Sequence, residues 1–261
     1  MTTNAVRAVA AAFVAVALAP AAPGAGASAR PRAALSASPT RVVLAGAARE
    51  VVHLRNPGAG PIVVDAAVAG FALDLRGRPR VVARGEASQE WLRVVPRRIR
   101  LAAGGEAAVR VVAKLPKRAR AGDHEALVLF TTRAPREARV AVRLQLGVVV
   151  DVRVPGRIVR RLDVRAVRVR RRGAGRLLEL TVLNRGNVSE PVGASFAVSL
   201  FRGGRLLAHL RPETRELLPR TSGLAEVAYA GPARGWVIAV VDVLVARQGA
   251  HRTQRAFRVH L

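Results

Sequence analysis

Apolar and polar positions alternate along this chain with a period of two far more often than with the helical period. Between Val109 and Lys114, for example, Val109, Val111 and Ala113 fall on one side and Arg110 and Lys114 on the other. That is the pattern of a half-buried strand. In the first half, strands are expected over residues 40–44, 50–55, 62–68, 107–114, 125–132 and 138–150. A second series is expected over 163–170, 176–183, 195–201, 205–210, 224–229, 236–245 and 252–259. Turn residues separate the runs: Asn56-Pro57-Gly58, Gly77-Arg78-Pro79, Gly104-Gly105 and Gly122-Asp123. Gly203-Gly204, lying between Leu200-Phe201 and Leu206-Leu207, predicts a two-residue hairpin. Val154-Pro155-Gly156-Arg157 reads as an interdomain joint. About seven short strands per half predict an all-β chain of two immunoglobulin-like β-sandwiches in tandem. Their expected bounds are residues 39–153 and 154–261.

The N-terminus follows a different rule. Arg7 precedes an unbroken apolar run over residues 8–19, and Pro20 and Pro23 end it. A run of that length suits a signal peptide and is too short for a membrane span. Ala25-Gly26-Ala27 and Ala27-Ser28-Ala29 each offer a small-x-small cleavage site. Residues 1–29 are therefore expected to be a signal peptide, and 30–38 an Ala/Ser/Pro/Arg-rich flexible lead-in. The longest later apolar stretch, 236–246, contains Asp242 and is also too short to span. The mature chain is expected to be exported without a membrane span, to an extracellular, cell-wall or periplasmic location.

Composition narrows the chemistry. The 261 residues include 44 Lys+Arg against 17 Asp+Glu, a net charge of +27, and no cysteine. Disulfides, thiolate metal sites and thiol nucleophiles are excluded together. An exported fold without disulfides must rest on its hydrophobic core. The cations are arginines except Lys114 and Lys117, and they sit among an excess of Ala, Val, Gly and Pro. This bias alone accounts for a solvated arginine-rich surface. A functional reading of the same charge is attraction to a polyanion, with Arg168, Arg170, Arg171 and Arg172 in the densest run as candidates.

No catalytic set emerges. The histidines His53, His124, His209, His251 and His260 are widely spaced and lack metal-ligand spacing. Asp123-His124-Glu125 is the one acid–histidine cluster, and turn formation accounts for Asp123. Ser195 stands in Val192-Gly193-Ala194-Ser195-Phe196, which is no nucleophile elbow. No cofactor, metal or catalytic residue is expected. Aromatic residues are too few to stack bases, so no nucleic-acid partner is expected either. Trp91 and Trp236 read as one core anchor per sandwich.

Three segments carry a family resemblance. Thr40-Arg41-Val42-Val43-Leu44-Ala45-Gly46 is followed by Val51-Val52-His53-Leu54-Arg55-Asn56. Val95-Pro96-Arg97-Arg98-Ile99-Arg100-Leu101 precedes Gly104-Gly105, and Leu115-Pro116 precedes Asp123-His124-Glu125-Ala126-Leu127. Together they resemble the N-terminal domain of periplasmic pilus chaperones. That resemblance implies a cationic cleft anchoring a subunit's terminal carboxylate. Its first-strand arginine falls on Arg41, its last-strand lysine falls near Val150, and Arg153 or Arg157 are candidate substitutes under a shifted register. A contact of this kind would be charge-assisted and bidentate, with strand addition along an exposed edge. Glu90-Trp91-Leu92, the run from Ala119 to His124 and the Leu180–Asn187 stretch also resemble WxL-interacting cell-surface proteins. That second resemblance implies binding to peptidoglycan, another anionic wall polymer or a surface protein. The leading expectation is a non-catalytic envelope protein that binds or scaffolds surface components. The alternatives are a pilus-type chaperone with Arg41 and Arg153 at its partner site, and a polyanion-binding surface protein.

Overall fold

The computed structural model describes residues 33–82, 88–133, 143–245 and 251–261. The expected signal peptide, and residues 138–142 of the strand expected at 138–150, lie outside them. The first half runs β1 (Ser36–Ser38), β2 (Arg41–Ala45), β3 (Arg49–Arg55), β4 (Ile62–Leu73), β5 (Pro79–Val82) and one helical turn, α1 (Ser88–Trp91). It continues with β6 (Leu92–Val95), β7 (Arg98–Leu101), β8 (Glu106–Ala113), β9 (Gly122–Thr132) and β10 (Gln145–Val154). The second half has β11 (Leu162–Arg172), β12 (Gly175–Asn184), β13 (Glu190–Pro191), a second turn of helix α2 (Val192–Ser195) and β14 (Phe196–Arg202). β15 (Arg205–Leu210), β16 (Glu216–Leu217), β17 (Ser222–Tyr229), β18 (Trp236–Val245) and β19 (His251–His260) complete it. The chain is all-β and forms two immunoglobulin-like sandwiches. Among the described residues, no helix is long and apolar enough to cross a membrane.

The first sandwich packs a sheet of order β1-β3-β8-β6 against one of order β2-β10-β9-β4-β5, with β7 also on β4. In the second, β11-β12-β17 faces β15-β14-β18-β19, and β13 and β16 pair separately. Each core follows from the alternation. Val109 and Val111 on β8, Val42 and Leu44 on β2, and Val148, Val150 and Val152 on β10 are buried together. Leu178, Leu180, Val198, Leu200, Ala239 and Val241 do the same in the second core. Gly203 and Gly204 have φ of 53° and 79°, left-handed values that let the β14–β15 turn follow the strand twist.

Three expectations are corrected. Ser36–Ser38, placed in the flexible lead-in, is a strand paired with β3. Gly122 and Asp123 do not interrupt a run; they open β9 and pair with Val154 and Arg153 of β10. Val150, a valine near which the resemblance's last-strand lysine falls, could not serve as a cationic anchor, and its side chain is fully buried in the core. Trp236 is no core anchor. It starts β18 on the outward-facing parity, opposite to the buried Val237 and Ala239, and is 56% exposed. Trp91 does pack against the first core.

The same turn device recurs in both sandwiches. Asn56 and Asn184 are both fully buried. Each side-chain oxygen accepts from the backbone two residues on, Gly58 N and Gly186 N, and each amide donates to neighbouring carbonyls. In the second sandwich this turn presents Asn187 and Ser189 to the first.

Candidate functional site: the cleft between the sandwiches

The outer face of β9 and β10 is buried by the second sandwich, so residues that would normally meet water meet another domain. Phe71 and Leu127 pack on Leu218 and make a small apolar cluster there. Around it the contacts are polar. Asp123 N donates to the Asn187 carbonyl at 2.8 Å. Asn187 Nδ2 donates to the carbonyls of Ala121 and Arg157, both at 2.9 Å. Gly122 has φ +121°, and a Cβ there would stand 2.1 Å from the Asn187 oxygen. Only glycine permits this approach. On the other flank, Arg76, on the β4–β5 turn, donates to Glu226 at 2.6 Å and Glu179 at 3.3 Å. The Leu75 carbonyl accepts from Leu224 N of β17 at 2.6 Å.

Arg41 lies at the mouth of this junction. It opens β2, which runs parallel to β10 with Val43 opposite Asp151. Burial of Val42 and Leu44 turns Arg41 outward. Its Nε donates to Asp151 Oδ2, and its Nη1 and Nη2 donate to the two oxygens of Glu216, both at 2.6 Å. The Asp151 side chain is 9% exposed and that of Glu216 33%, so one carboxylate is fixed and the other is at the rim. Burial works against the charge on Arg41, but its bonds to Glu216 and Asp151 hold the guanidinium above its ordinary value. Burial pushes Asp151 up, against the opposing pull of Arg41. Its second oxygen, Oδ1, is buried with no hydrogen-bond partner among the described residues.

A second polar knot lies along the same two strands. Arg153 forks onto Asp123, with Nη2 to Oδ2 at 2.7 Å, and this bond raises the arginine further. Asp123 Oδ2 also accepts from Ser189 N at 3.0 Å. Ser189 Oγ donates to Glu125 Oε1 at 2.6 Å. Burial, opposed by that bond and reinforced by Asp151 and Asp123, pushes Glu125 up to about 7. His124 lies 4.8 Å from the Trp91 ring and bonds the Arg120 carbonyl through Nε2.

The expected site residues therefore separate into three places. Arg41 is in the cleft and already grips a carboxylate. Arg153 is turned onto Asp123 and helps close the interdomain contact. Arg168, Arg170, Arg171 and Arg172 are exposed on β11, and Arg170 reaches Glu179, the acid that Arg76 also holds, at 3.3 Å. Where the resemblance put a basic partner near Val150, the next residue along, Asp151, supplies an acid. Sequence reasoning missed Asp151, Ser189 and Glu216. A single acid inside the run Val148-Val149-Val150-Asp151-Val152 was a readable signal. Nothing local marks Glu216.

No protein-family model matches the chain, and no curated protein matches it in sequence. Among solved structures, it is similar to a chaperone–tip adhesin complex of CFA/I fimbriae biogenesis. Identity there is 12%, the match covers 85% of this chain and 98% of that one, and the TM-score is 0.52. The class 5 fimbriae chaperone CfaA gives 12% identity, 85% and 98% coverage and a TM-score of 0.49. The YadV chaperone gives 13%, 86% and 98%, and 0.48. The first likeness is one of fold: this chain has the two-sandwich architecture of pilus chaperones.

Proposed function

We propose that the chain is an exported pilus-type chaperone that holds a secreted subunit by strand addition, with Arg41 as carboxylate anchor. The observation that carries this reading is the Arg41 fork itself. A guanidinium at the mouth of the cleft, backed by buried Asp151, already binds a carboxylate in bidentate geometry. An incoming terminal carboxylate would take the place of Glu216 at the rim. The β10 edge supports the second half of the reading. β2 covers β10 only from Val149 to Arg153. From Gln145 to Val148, β10 has β9 on one side and, among the described residues, no hydrogen-bonded strand on the other. Main-chain groups there are positioned to pair with an added strand, and Leu146, on the core-facing parity of Val148, is only partly buried. Periplasmic residence follows from the same reading, as does a non-catalytic role.

The test is affinity capture by the tagged mature chain from the native envelope fraction, at low and high salt, beside Arg41→Ala. One exported protein held stoichiometrically at high salt by the wild type and lost by the variant is the expected result. Equal recovery by both variants would remove Arg41 from the function and return the chain to a wall-binding scaffold.

A further inference from the structure

The end of the second sandwich farthest from the first carries a cluster that the cleft does not use. β11 and β12 meet there in a hairpin that presents Arg171 and Arg172, whose cross-strand partners are Arg176 and Gly175. Arg176 pairs with Tyr229 at the end of β17, and the loop from Tyr229 to Trp236 crosses to the other sheet. Trp236 pairs with His260, and Phe201 with Ile238, so the Gly203-Gly204 hairpin reaches the same end. Two hairpins, one loop and the end of β19 thus converge.

The outer face of this end is apolar where solvent should meet polar residues. Leu206, Phe201, Ile238 and Arg258 form one continuous cross-strand row. Trp236 is 56% exposed, Leu206 53% and Ile238 40%. The Arg258 guanidinium lies 4.5 Å over the Trp236 ring, and His260 meets its edge at 5.2 Å. The indole is therefore held in place while its surface stays open. Arg202 and Arg205 flank Leu206 from the hairpin, and Arg202 donates to the Arg234 carbonyl in the loop. No Asp or Glu occurs among residues 171–176, 201–206, 230–238 or 256–261. Asp242, further along β18, is held by Arg252 at 3.0 Å.

We propose that this end docks on an anionic bilayer surface. Trp236, Leu206 and Ile238 enter the interfacial layer, and Arg202, Arg205 and Arg258 engage lipid phosphates. Indole and guanidinium side chains both place an apolar body against acyl chains and a polar edge at the headgroups. Uniform positive charge fits an anionic surface and opposes a second copy of a chain carrying +27. The apolar groups stand at a protruding end with arginines between them rather than in a recessed groove. Docking by this end leaves Arg41 and the β10 edge open, so it is independent of the carboxylate reading.

The experiment is co-sedimentation of the mature chain with vesicles of equal parts phosphatidylglycerol and phosphatidylcholine, and with phosphatidylcholine alone. One variant combines Trp236→Ser, Arg202→Ser, Arg205→Ser and Arg258→Ser. A charge-matched control carries Arg93→Ser, Arg97→Ser and Arg110→Ser, all exposed on the first sandwich. Binding to the anionic vesicles is expected to fall on the order of tenfold in the first variant and less than about twofold in the control. In a Trp91→Phe background, Trp236 emission is expected to shift to shorter wavelength on those vesicles alone. Equal losses in both variants, or an unshifted emission, would reduce the effect to diffuse charge and overturn the proposal. Unchanged vesicle binding, with loss of an acidic envelope protein held by the wild type, would make the surface a protein-docking site and overturn it as well.

Discussion

Arg41 grips Glu216 with both terminal nitrogens, each at 2.6 Å, across the junction between two sandwiches. The pair lies 175 residues apart in sequence and closes the mouth of the cleft with the protein's own carboxylate. Arg41 also holds Asp151 beneath it, so the guanidinium is shared between a buried acid and a more exposed one.

Glu216→Gln removes the more exposed carboxylate and leaves the buried one. Under the chaperone reading, a partner's terminal carboxylate then meets no competitor, and capture is expected to strengthen severalfold. A partner with an amidated terminus is expected to show no gain. The stability loss should stay near about 0.5–1 kcal/mol, because the pair is partly solvated. Calorimetric titration of the two partner forms against wild type and variant provides the check. Weaker binding in the variant would mean that Glu216 assists the partner rather than excluding it.

Arg41→Ala leaves Asp151 buried without its partner, with Oδ1 already lacking one. A loss of roughly 1–3 kcal/mol is expected, from the desolvation of an unsatisfied buried carboxylate. The double variant Arg41→Ala with Asp151→Asn is expected to recover part of it, since the amide carries no charge. Urea denaturation of the set as a double-mutant cycle measures the coupling. Strict additivity of the two losses would show that the ion pair contributes nothing beyond its separate groups.

Glu125 links the junction to pH. Its carboxyl is held up to about 7, above its ordinary value near 4.5. Below both values the folded and unfolded chains are equally protonated at this site. As pH rises from about 4.5 to about 7, the unfolded state ionises first and the folded state loses stability; above that the penalty is constant. Glu125→Gln keeps an acceptor for Ser189 Oγ and cannot ionise. At pH 8 it is expected to be more stable than wild type by up to roughly 3 kcal/mol, with the difference vanishing near pH 4. Thermal denaturation across this range decides the matter. Parallel wild-type and variant profiles would contradict the assignment.

Gly122→Ala tests the docking of the sandwiches. A methyl group at this φ of +121° would collide with the Asn187 carbonyl 2.1 Å away. Backbone strain and the lost Asp123–Asn187 bond together are expected to cost more than about 2 kcal/mol. The damage should fall on the junction before either core, so one calorimetric transition is expected to split into two. A single transition at the wild-type temperature would show that the two halves unfold together for another reason.

Much of the architecture was legible in the chain. The long strands, the Gly203-Gly204 hairpin and the tandem sandwich plan rest on residues two apart, and alternation reports those directly. Short strands such as β1 and β16 were not legible, because two or three residues give no period. Trp236 shows a different failure. A large aromatic residue at a strand start reads as core, yet the pleat turns it outward, and only the pairing with β14 and β19 shows which face is covered. Arg41 was readable as a strand arginine on the uncovered parity. Of its carboxylate partners, Asp151 left a signal as the single acid in a valine run, but nothing local tied it to Arg41, and Glu216 lies on a two-residue strand.

The sequence by itself determined which side chains share a face and where the chain turns, because those depend on neighbours along the backbone. The tertiary structure decided which faces meet. It buried Asp123, Glu125 and Asp151 on a sheet face that alternation would assign to solvent, and it laid the half-exposed Arg153 onto Asp123. It brought Glu216 to Arg41 and left Trp236 bare. Those outcomes depend on sheet register and on the docking of one sandwich against another, and long-range contacts of that kind have no counterpart in local periodicity.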